Sequence, residues 1–201
     1  MSGRMRKDDH TAETRTALLD VARRLFARHG YANTSVAEIA RAARVTTGAL
    51  YHQFSDKEGI FKAVAEIVEQ EIMEKVIAAA ARAGGDGRAR ILAGIEGMLT
   101  AVMSPDVYRI AFIEAATVIG PQAWREIEMR YAFGLLHGAL SEVERSGKLR
   151  GLSAAVVAPM ILGALHEAAV TIAGAKDKDG ARVTALKTMS RMLDGLLATD
   201  S

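Results

Sequence analysis

The chain has 201 residues and a formal net charge of +2. It has no cysteine, and this excludes a disulfide framework, a thiolate nucleophile and a Cys-ligated metal. Alanine, leucine, methionine, glutamate and arginine dominate, with few aromatics and three prolines, so the composition predicts an all-α protein of one large or two small domains. No apolar run reaches the roughly 18 residues of a membrane span and the N-terminus lacks the apolar core of a signal peptide, so we expect a cytoplasmic protein without membrane contact.

Positive charge gathers at the N-terminal end of the chain. Residues 1–60 hold ten Lys/Arg against seven Asp/Glu, whereas residues 61–201 hold sixteen against seventeen. Residues 1–10 are predicted to form a flexible basic arm ahead of a first helix over Thr11–His29, which Gly30 ends. A basic excess at one end is typical of DNA-binding proteins, although an excess of this size indicates little without a motif.

The segment Ser35–Phe54 predicts two short helices separated by a tight turn. The first helix starts at a capping box formed by Ser35 and Glu38, and the second covers Thr46–Gln53. Another capping box, Ser55 with Glu58, predicts a long helix directly afterwards. Two short helices locked by a turn are typical of helix-turn-helix DNA recognition, in which the second helix enters the major groove.

Three sequence stretches in this region occur in a fixed order from about Thr11 to Val64. They read TRTALLDVARRLFARHGYANTSVAEIA, then V-T-x-G-x-L-Y-x-x-F, then S-D-K-E-x-x-F. Together they resemble the DNA-binding domain of the tetracycline-repressor (TetR) family of bacterial regulators. The resemblance implies an all-α fold of about nine helices, with a helix-turn-helix domain over 11–64 (motif 35–54) and a helical ligand-binding and dimerisation domain over 65–201. It also implies a homodimer that binds a palindromic DNA operator.

Arg44 departs from the family pattern, which usually has glycine just before the turn valine. A non-glycine residue in left-handed geometry costs on the order of 1 kcal/mol. Arg44 therefore indicates either a slightly loosened turn that its packing tolerates or an added phosphate contact.

The recognition helix carries no lysine or arginine, so threonine, tyrosine, histidine and glutamine side chains would read the bases. Gly48 would allow the helix backbone to approach DNA closely, and the resemblance implies a phosphate contact by Lys57. The candidate DNA-binding residues are Thr34, Ser35, Arg44, Thr46, Thr47, Gly48, Tyr51, His52, Gln53 and Lys57.

The remaining helices follow from the glycine and proline breaks. The long fourth helix is predicted to reach Ala83, before Gly84-Gly85, and the others cover about 88–103, 106–119, 121–146, 154–175 and 180–198. The last two helices carry wide apolar faces, which predict an intersubunit four-helix bundle unless they only cover the other helices. The candidate interface residues are Ile161, Leu165, Ala169, Ile172, Leu186, Met189, Leu193 and Leu197.

A small-molecule pocket is the second feature that the resemblance implies. Trp124, Glu128 and Tyr131 share a stripe of one helix, and Glu114 and His166 interrupt apolar runs on two others. A buried carboxylate needs a partner, which a ligand cation or hydroxyl could supply, although such stripes are more often core. The candidate pocket residues are Met98, Val102, Phe112, Glu114, Ala115, Ile119, Trp124, Glu128, Tyr131 and His166.

The sequence thus favours a dimeric transcriptional regulator, a repressor released by a small apolar or aromatic ligand, although an activator remains open. The alternative is a helical small-molecule binding protein, or regulator-like antagonist, that has lost DNA binding. An enzyme is disfavoured because the chain lacks a Gly-rich phosphate loop and an HExxH pair, and its five histidines are scattered. We expect no cofactor and no metal.

Overall fold

The structure, a computed structural model, describes the backbone of residues 2–198 and the side chains of residues 11–198. This part of the chain forms helices without any strand, which confirms the all-α prediction. We number the helices α1 (Ser2–His29), α2 (Val36–Ala42), α3 (Thr47–Gln53), α4 (Lys57–Ala83), α5 (Gly87–Ala101), α6 (105–118), α7 (121–145), α8 (Ala154–Gly174) and α9 (Lys178–Leu196). Two of them contain a π-helical stretch, Tyr108–Glu114 in α6 and Met129–Phe133 in α7.

The first helix starts earlier than the sequence predicts. Helical backbone runs from Ser2 rather than Thr11, so the predicted start of the first helix is wrong, whereas the flexibility expected of the arm over residues 1–10 stays a prediction. Because no proline occurs among these residues and arginine, lysine and methionine are good helix formers, nothing stops the helix from continuing. The side chains of Arg4, Arg6 and Lys7 lie outside the described residues.

Two buried apolar clusters hold the helices together. One joins α1–α3 and the first half of α4 to α6 and to Trp124 of α7, and the other joins α5, the end of α7, α8 and α9. The expected domain boundary after residue 64 falls inside α4, and α4 contributes Val64, Val68 and Ile72 to the first cluster without a break. One continuous helix therefore belongs to both units.

Among residues 2–198, α8 is the one helix that is long and apolar enough, by length and composition, to cross a membrane. The sequence still has no unbroken apolar run of this length, because His166 and Glu167 interrupt α8, but the mean hydropathy over an 18-residue window of α8 is high enough. This is weak evidence for a membrane helix, because core helices pass the same test. Ala158, Ile161 and Leu165 of α8 are buried in the second cluster, as in a core helix.

Candidate nucleic-acid interface and internal cavity

Local hydrogen bonds cap both helices of the helix-turn-helix, although only one of the two bonds of the predicted Ser35–Glu38 capping box is formed. Ser35 Oγ accepts from the Glu38 N–H at 3.1 Å, and Thr46 Oγ1 accepts from the Ala49 N–H at 3.1 Å, so each hydroxyl caps the helix that follows it. The buried side chains of Ile39 and Leu50 fix α2 and α3 to the rest of the first cluster. α4 starts one residue later than its predicted cap, because Asp56 rather than Ser55 accepts from the Gly59 N–H, at 2.7 Å.

The outer face of α3 is open to solvent. Thr47, Gly48, Tyr51 and His52 are exposed, and a Cβ added at Gly48 would meet only the Thr46 hydroxyl, at 3.8 Å. Tyr51 is 53% exposed although it is a large aromatic residue. These residues are therefore available to a ligand as large as DNA.

Gln53, Thr34 and Lys57 are already engaged inside the protein. Gln53 Nε2 donates to the Thr11 carbonyl at 3.3 Å, which holds the end of α3 against α1. Thr34 is 1% exposed and its hydroxyl donates to the Gly30 carbonyl at 2.8 Å, so its side chain is not a DNA-contacting group.

The Lys57 amine holds the loop that precedes α2. Its Nζ donates to the carbonyls of Tyr31 and Thr34, at 2.8 and 3.0 Å, and lies 4.0 Å from the centroid of the Tyr31 ring. These contacts span more than twenty residues of sequence, which is why the local motif did not reveal them.

Arg44 adopts a left-handed backbone, with φ of 59°. Its N–H donates to the Arg41 carbonyl at 3.1 Å, so the turn keeps the geometry that a glycine would serve. The side chain is exposed, and among residues 11–198 its guanidinium has no hydrogen-bond or ion-pair partner. The structure is thus compatible with the phosphate contact that the sequence raised.

Glu114 lies at a junction between α6 and the N-terminal helices, not in the cavity where the sequence predicted it. Both of its carboxylate oxygens accept from the Tyr31 N–H, at 3.1 and 3.0 Å. Gly30, with φ of 81°, makes room for this contact, because a Cβ there would be 2.6 Å from Glu114 Oε1. The π-helical stretch that ends at Glu114 shifts the register by one residue, or about 100° of rotation, relative to the α-helix that the prediction assumed.

A cavity of about 260 Å³ lies between α4, α5, α6, α7 and α8. Five predicted pocket residues line it: Met98, Phe112, Trp124, Glu128 and His166. Further lining residues that the prediction missed are Glu69, Ile72, Met73, Ala111, Arg125, Met129, Ala132, Phe133, Pro159, Leu162 and Gly163. An apolar depression of about 400 Å³ adjoins it and shares Met73, Met98 and Leu162 with it.

The other predicted pocket residues do not line this cavity. Val102, Ala115 and Ile119 are buried in the protein interior, because their side chains fill the packing between helices. The Tyr131 hydroxyl accepts from Gln70 Nε2 at 2.8 Å, which turns the ring away. The prediction for Tyr131 assumed a regular α-helix. Tyr131 instead lies within the π-helical stretch Met129–Phe133, which changes the helical period.

Glu69 of α4 is the most unusual group in the cavity. It is 6% exposed, and among residues 11–198 it has neither a hydrogen-bond partner nor an ion-pair partner. Burial raises the pKa of Glu69 to about 7, with a smaller contribution from the Glu128 carboxylate. Burial also raises the pKa of Glu128, against opposing effects of His166, a Trp124 hydrogen bond and Arg125.

The residues predicted for the dimer interface lie inside the monomer. Ile161, Leu165, Ala169, Ile172, Met189, Leu193 and Leu197 are buried and Leu186 is half-buried, all within or against the second cluster. The apolar faces that the sequence marks therefore pack within the monomer, because both sides of α8 are apolar and the sequence does not say which side is covered; the dimer itself stays a prediction.

The opposite side of α8 carries an exposed stripe. Val156 and Met160 are 59% and 69% exposed, and the stripe continues through Gly163, Glu167 and Val170 at spacings of four and three residues. On α9, Val183 and Met192 are also exposed. A Cβ added at Gly163 or Gly195 would meet no atom within 4 Å, so another helix could approach closely. We call the α8 residues the outer stripe.

Comparison with known proteins places this architecture in a family. Residues 18–64 match the family described as bacterial regulatory proteins, tetR family, and residues 88–196 match the tetracyclin repressor-like C-terminal domain. The chain is 46% identical to the HTH-type transcriptional regulator AcrR of Shigella flexneri over 74 residues. The aligned segment covers 37% of this chain and 34% of AcrR. The chain thus spans about a third of the length of the curated relatives that it matches.

Solved structures extend the similarity to nearly the whole chain. A TetR-family transcriptional regulator from Pectobacterium atrosepticum is 28% identical, with a TM-score of 0.79 over 96% of this chain and 98% of that one. The regulator FadR of Bacillus subtilis, solved in complex with stearoyl-CoA, is 20% identical, with a TM-score of 0.72 over 87% of this chain and 97% of FadR. At that identity the FadR likeness concerns the fold alone.

Proposed function

Because this chain belongs to the tetracycline-repressor family of bacterial regulators, we propose that it is a dimeric repressor that a small molecule releases from a palindromic DNA operator. The observation that carries the proposal is the outer face of α3, a short capped helix whose Thr47, Tyr51 and His52 side chains are exposed. A repressor of this kind works on chromosomal DNA, so we expect it in the cytoplasm.

DNA contact would divide between base reading and phosphate positioning. Thr47 can place its methyl group on a thymine methyl or its hydroxyl on a base edge, and His52 can hydrogen-bond to bases. Arg44 and the backbone N–H groups that follow Ser35 would hold phosphates. Lys57 would act through the loop that it fastens, because its amine is engaged with two carbonyls.

Dimerisation would use the outer stripe of α8 together with the exposed residues of α9. Spacings of four and three residues place Val156, Met160, Gly163 and Val170 along one line of a helix, which is the pattern that packs against another helix. Burying these apolar side chains would be favourable at about 25 cal/mol per Å². Two such monomers would present two α3 helices to successive major grooves of a palindromic site.

Two physical connections link the cavity to the DNA-binding helices. α4 lines the cavity at Glu69 and Met73 and begins at Lys57, about 18–24 Å away along the helix axis. On α6, Phe112 lines the cavity and Glu114, two residues later, holds the Tyr31 N–H. A ligand that separates α4 from α6 would therefore move both supports of the helix-turn-helix.

The required coupling is modest. The ligand would bind more tightly to a state in which the two α3 helices are too far apart for successive major grooves than to the state that binds DNA. A difference of about 1–3 kcal/mol in ligand affinity between these two states lowers operator affinity by roughly 5- to 150-fold. Trp124, the single tryptophan, lines the cavity and should report ligand entry through its fluorescence.

The function is tested by selecting bound sequences from a pool of random DNA duplexes and measuring their mobility shift with the full chain. We expect palindromic sequences whose affinity falls steeply with salt. Thr47→Ala should change the selected sequence, whereas the matched variant Thr100→Ala, at an exposed threonine of α5, should leave it unchanged. A folded protein that selects no sequence, yet binds small molecules in the cavity, would instead support the binding-protein alternative.

A further inference from the structure

The cavity contains an acidic group, Glu69, that forms no hydrogen bond or ion pair with the described side chains. Buried polar groups in proteins are almost always hydrogen-bonded, and buried charges are paired. Glu69 is 6% exposed and, among the side chains of residues 11–198, has no such partner. A second carboxyl, that of Glu128, lines the same cavity and contributes to the raised pKa of Glu69. Because the Glu69 carboxyl lines the cavity, a ligand bound there could supply this partner.

The basic groups at the cavity do not serve Glu69. Arg125 and His166 both line the cavity, and both influence the Glu128 carboxyl. Neither forms an ion pair or a hydrogen bond with Glu69, although both line the same cavity. The cavity thus holds two carboxyl groups, Glu69 and Glu128, which in their ionised forms would repel an anionic ligand group.

The rest of the wall suits an apolar body that carries positive charge. The rings of Trp124, Phe112 and Phe133 present π-faces or edges to the cavity, and Met73 and Met98 supply polarizable thioethers. Aromatic rings attract organic cations, most strongly where water is excluded. The cavity of about 260 Å³ is smaller than the roughly 300–1,000 Å³ of drug-sized sites, so the charged end must be compact. The adjoining apolar depression could take a tail.

From this arrangement we propose that the cavity binds a lipophilic organic cation, with its ammonium group against Glu69 and its apolar part against Trp124 and Phe112. The inference rests on the proposed function only in identifying this cavity as the effector site. A cation stabilises the ionised form of Glu69, so its binding releases a proton from those molecules in which Glu69 is protonated. Glu128 and His166 face the same space, and protonation of either would also weaken cation binding.

The test compares three probes that share a phenylalkyl body and differ in the charge and size of the head group: phenylbutyltrimethylammonium, phenylbutanol and phenylbutyrate. Binding to the full chain is followed by Trp124 fluorescence and by calorimetry, without DNA. We expect the cation to bind at least about 30-fold more tightly than the alcohol, and the anion to bind most weakly. Because the charge of this cation is permanent, its affinity should rise about 10-fold from pH 6 to pH 8 through ionisation of Glu69.

Variants assign the effect to one residue. Glu69→Gln keeps the side-chain shape and should lower cation affinity about 30-fold while leaving affinity for the alcohol nearly unchanged. The matched control is Glu74→Gln, at an exposed glutamate on the same helix, which should behave as the wild type.

Several outcomes would overturn the proposal. They are equal affinity for the cation and the alcohol, preference for the anion, no cation binding by the wild-type protein, or full cation affinity in folded Glu69→Gln. The wild-type probe series and its pH dependence decide the matter even if the variant does not fold. Failure of the proposed repressor function would appear separately, as an absence of DNA binding with cation binding intact.

Discussion

Replacing Arg44 with glycine should change stability and DNA affinity in opposite directions. Arg44 has φ of 59°, a left-handed conformation that costs a non-glycine residue about 1–2 kcal/mol. Glycine removes this strain but loses about 0.5–1 kcal/mol through the greater freedom of the unfolded chain. The free energy of unfolding should therefore rise by about 0.5–1 kcal/mol, which for a chain of this size raises Tm by about 1–4 °C.

The same substitution removes an exposed positive charge from the turn ahead of α3. If Arg44 binds a phosphate, the slope of log affinity against log salt should become shallower by about 1 for each monomer bound. Thermal melts and mobility shifts across a salt series measure the two effects independently. Arg150→Gly, at a second residue with a positive φ, of 50°, outside the helix-turn-helix, is the control for the salt slope; its effect on Tm also includes loss of the hydrogen bond from Arg150 Nε to the Leu197 carbonyl, at 3.0 Å.

The stability change and the salt dependence of Arg44→Gly are independent of each other. A lower Tm in Arg44→Gly would show that the left-handed turn is not strained by its side chain. An unchanged salt slope would show that Arg44 makes no phosphate contact and would favour the simpler interpretation, in which its packing tolerates the turn.

Three further predictions concern the outer stripe, the junction and the cavity. Met160→Glu should convert the dimer to monomer in light scattering and abolish operator binding, because it places a charge in the outer stripe. The same change at exposed Ile77 of α4 should do neither. A Met160→Glu variant that stays dimeric would exclude the outer stripe as the interface. Gly30→Ala should lower Tm by about 2–8 °C through left-handed strain of about 1–2 kcal/mol and displacement of Glu114, and an unchanged Tm would contradict this account. Because the pKa of Glu69 is raised to about 7 from an ordinary 4.5, the folded state binds the extra proton between these values. The free energy of unfolding of the wild type should therefore fall by at most about 3 kcal/mol as pH rises from about 4.5 through 7. Urea unfolding of Glu69→Gln should not show this fall, because glutamine does not titrate. Parallel pH profiles for the two proteins would show that Glu69 does not titrate as inferred.

The sequence by itself determined the features that depend on neighbouring residues. Ser35 and Thr46 cap their helices as predicted, because a capping hydroxyl bonds to a backbone N–H three residues away. The glycine and proline breaks likewise placed most helix ends within a few residues, and the order of short sequence stretches identified the family. These signals are local, so one sequence is enough to read them.

Only the tertiary structure decided which side of each helix meets which partner. Leu165 and Leu193 are core rather than interface residues, because α8 is apolar on both sides and its sequence does not say which side is covered. Glu114 holds Tyr31 instead of lining the cavity, because a π-helical residue rotates it away from the stripe that a regular helix would give. Lys57 and Glu69 owe their surroundings to chain segments distant in sequence, and burial without a partner, unlike a cap, leaves no local sequence pattern.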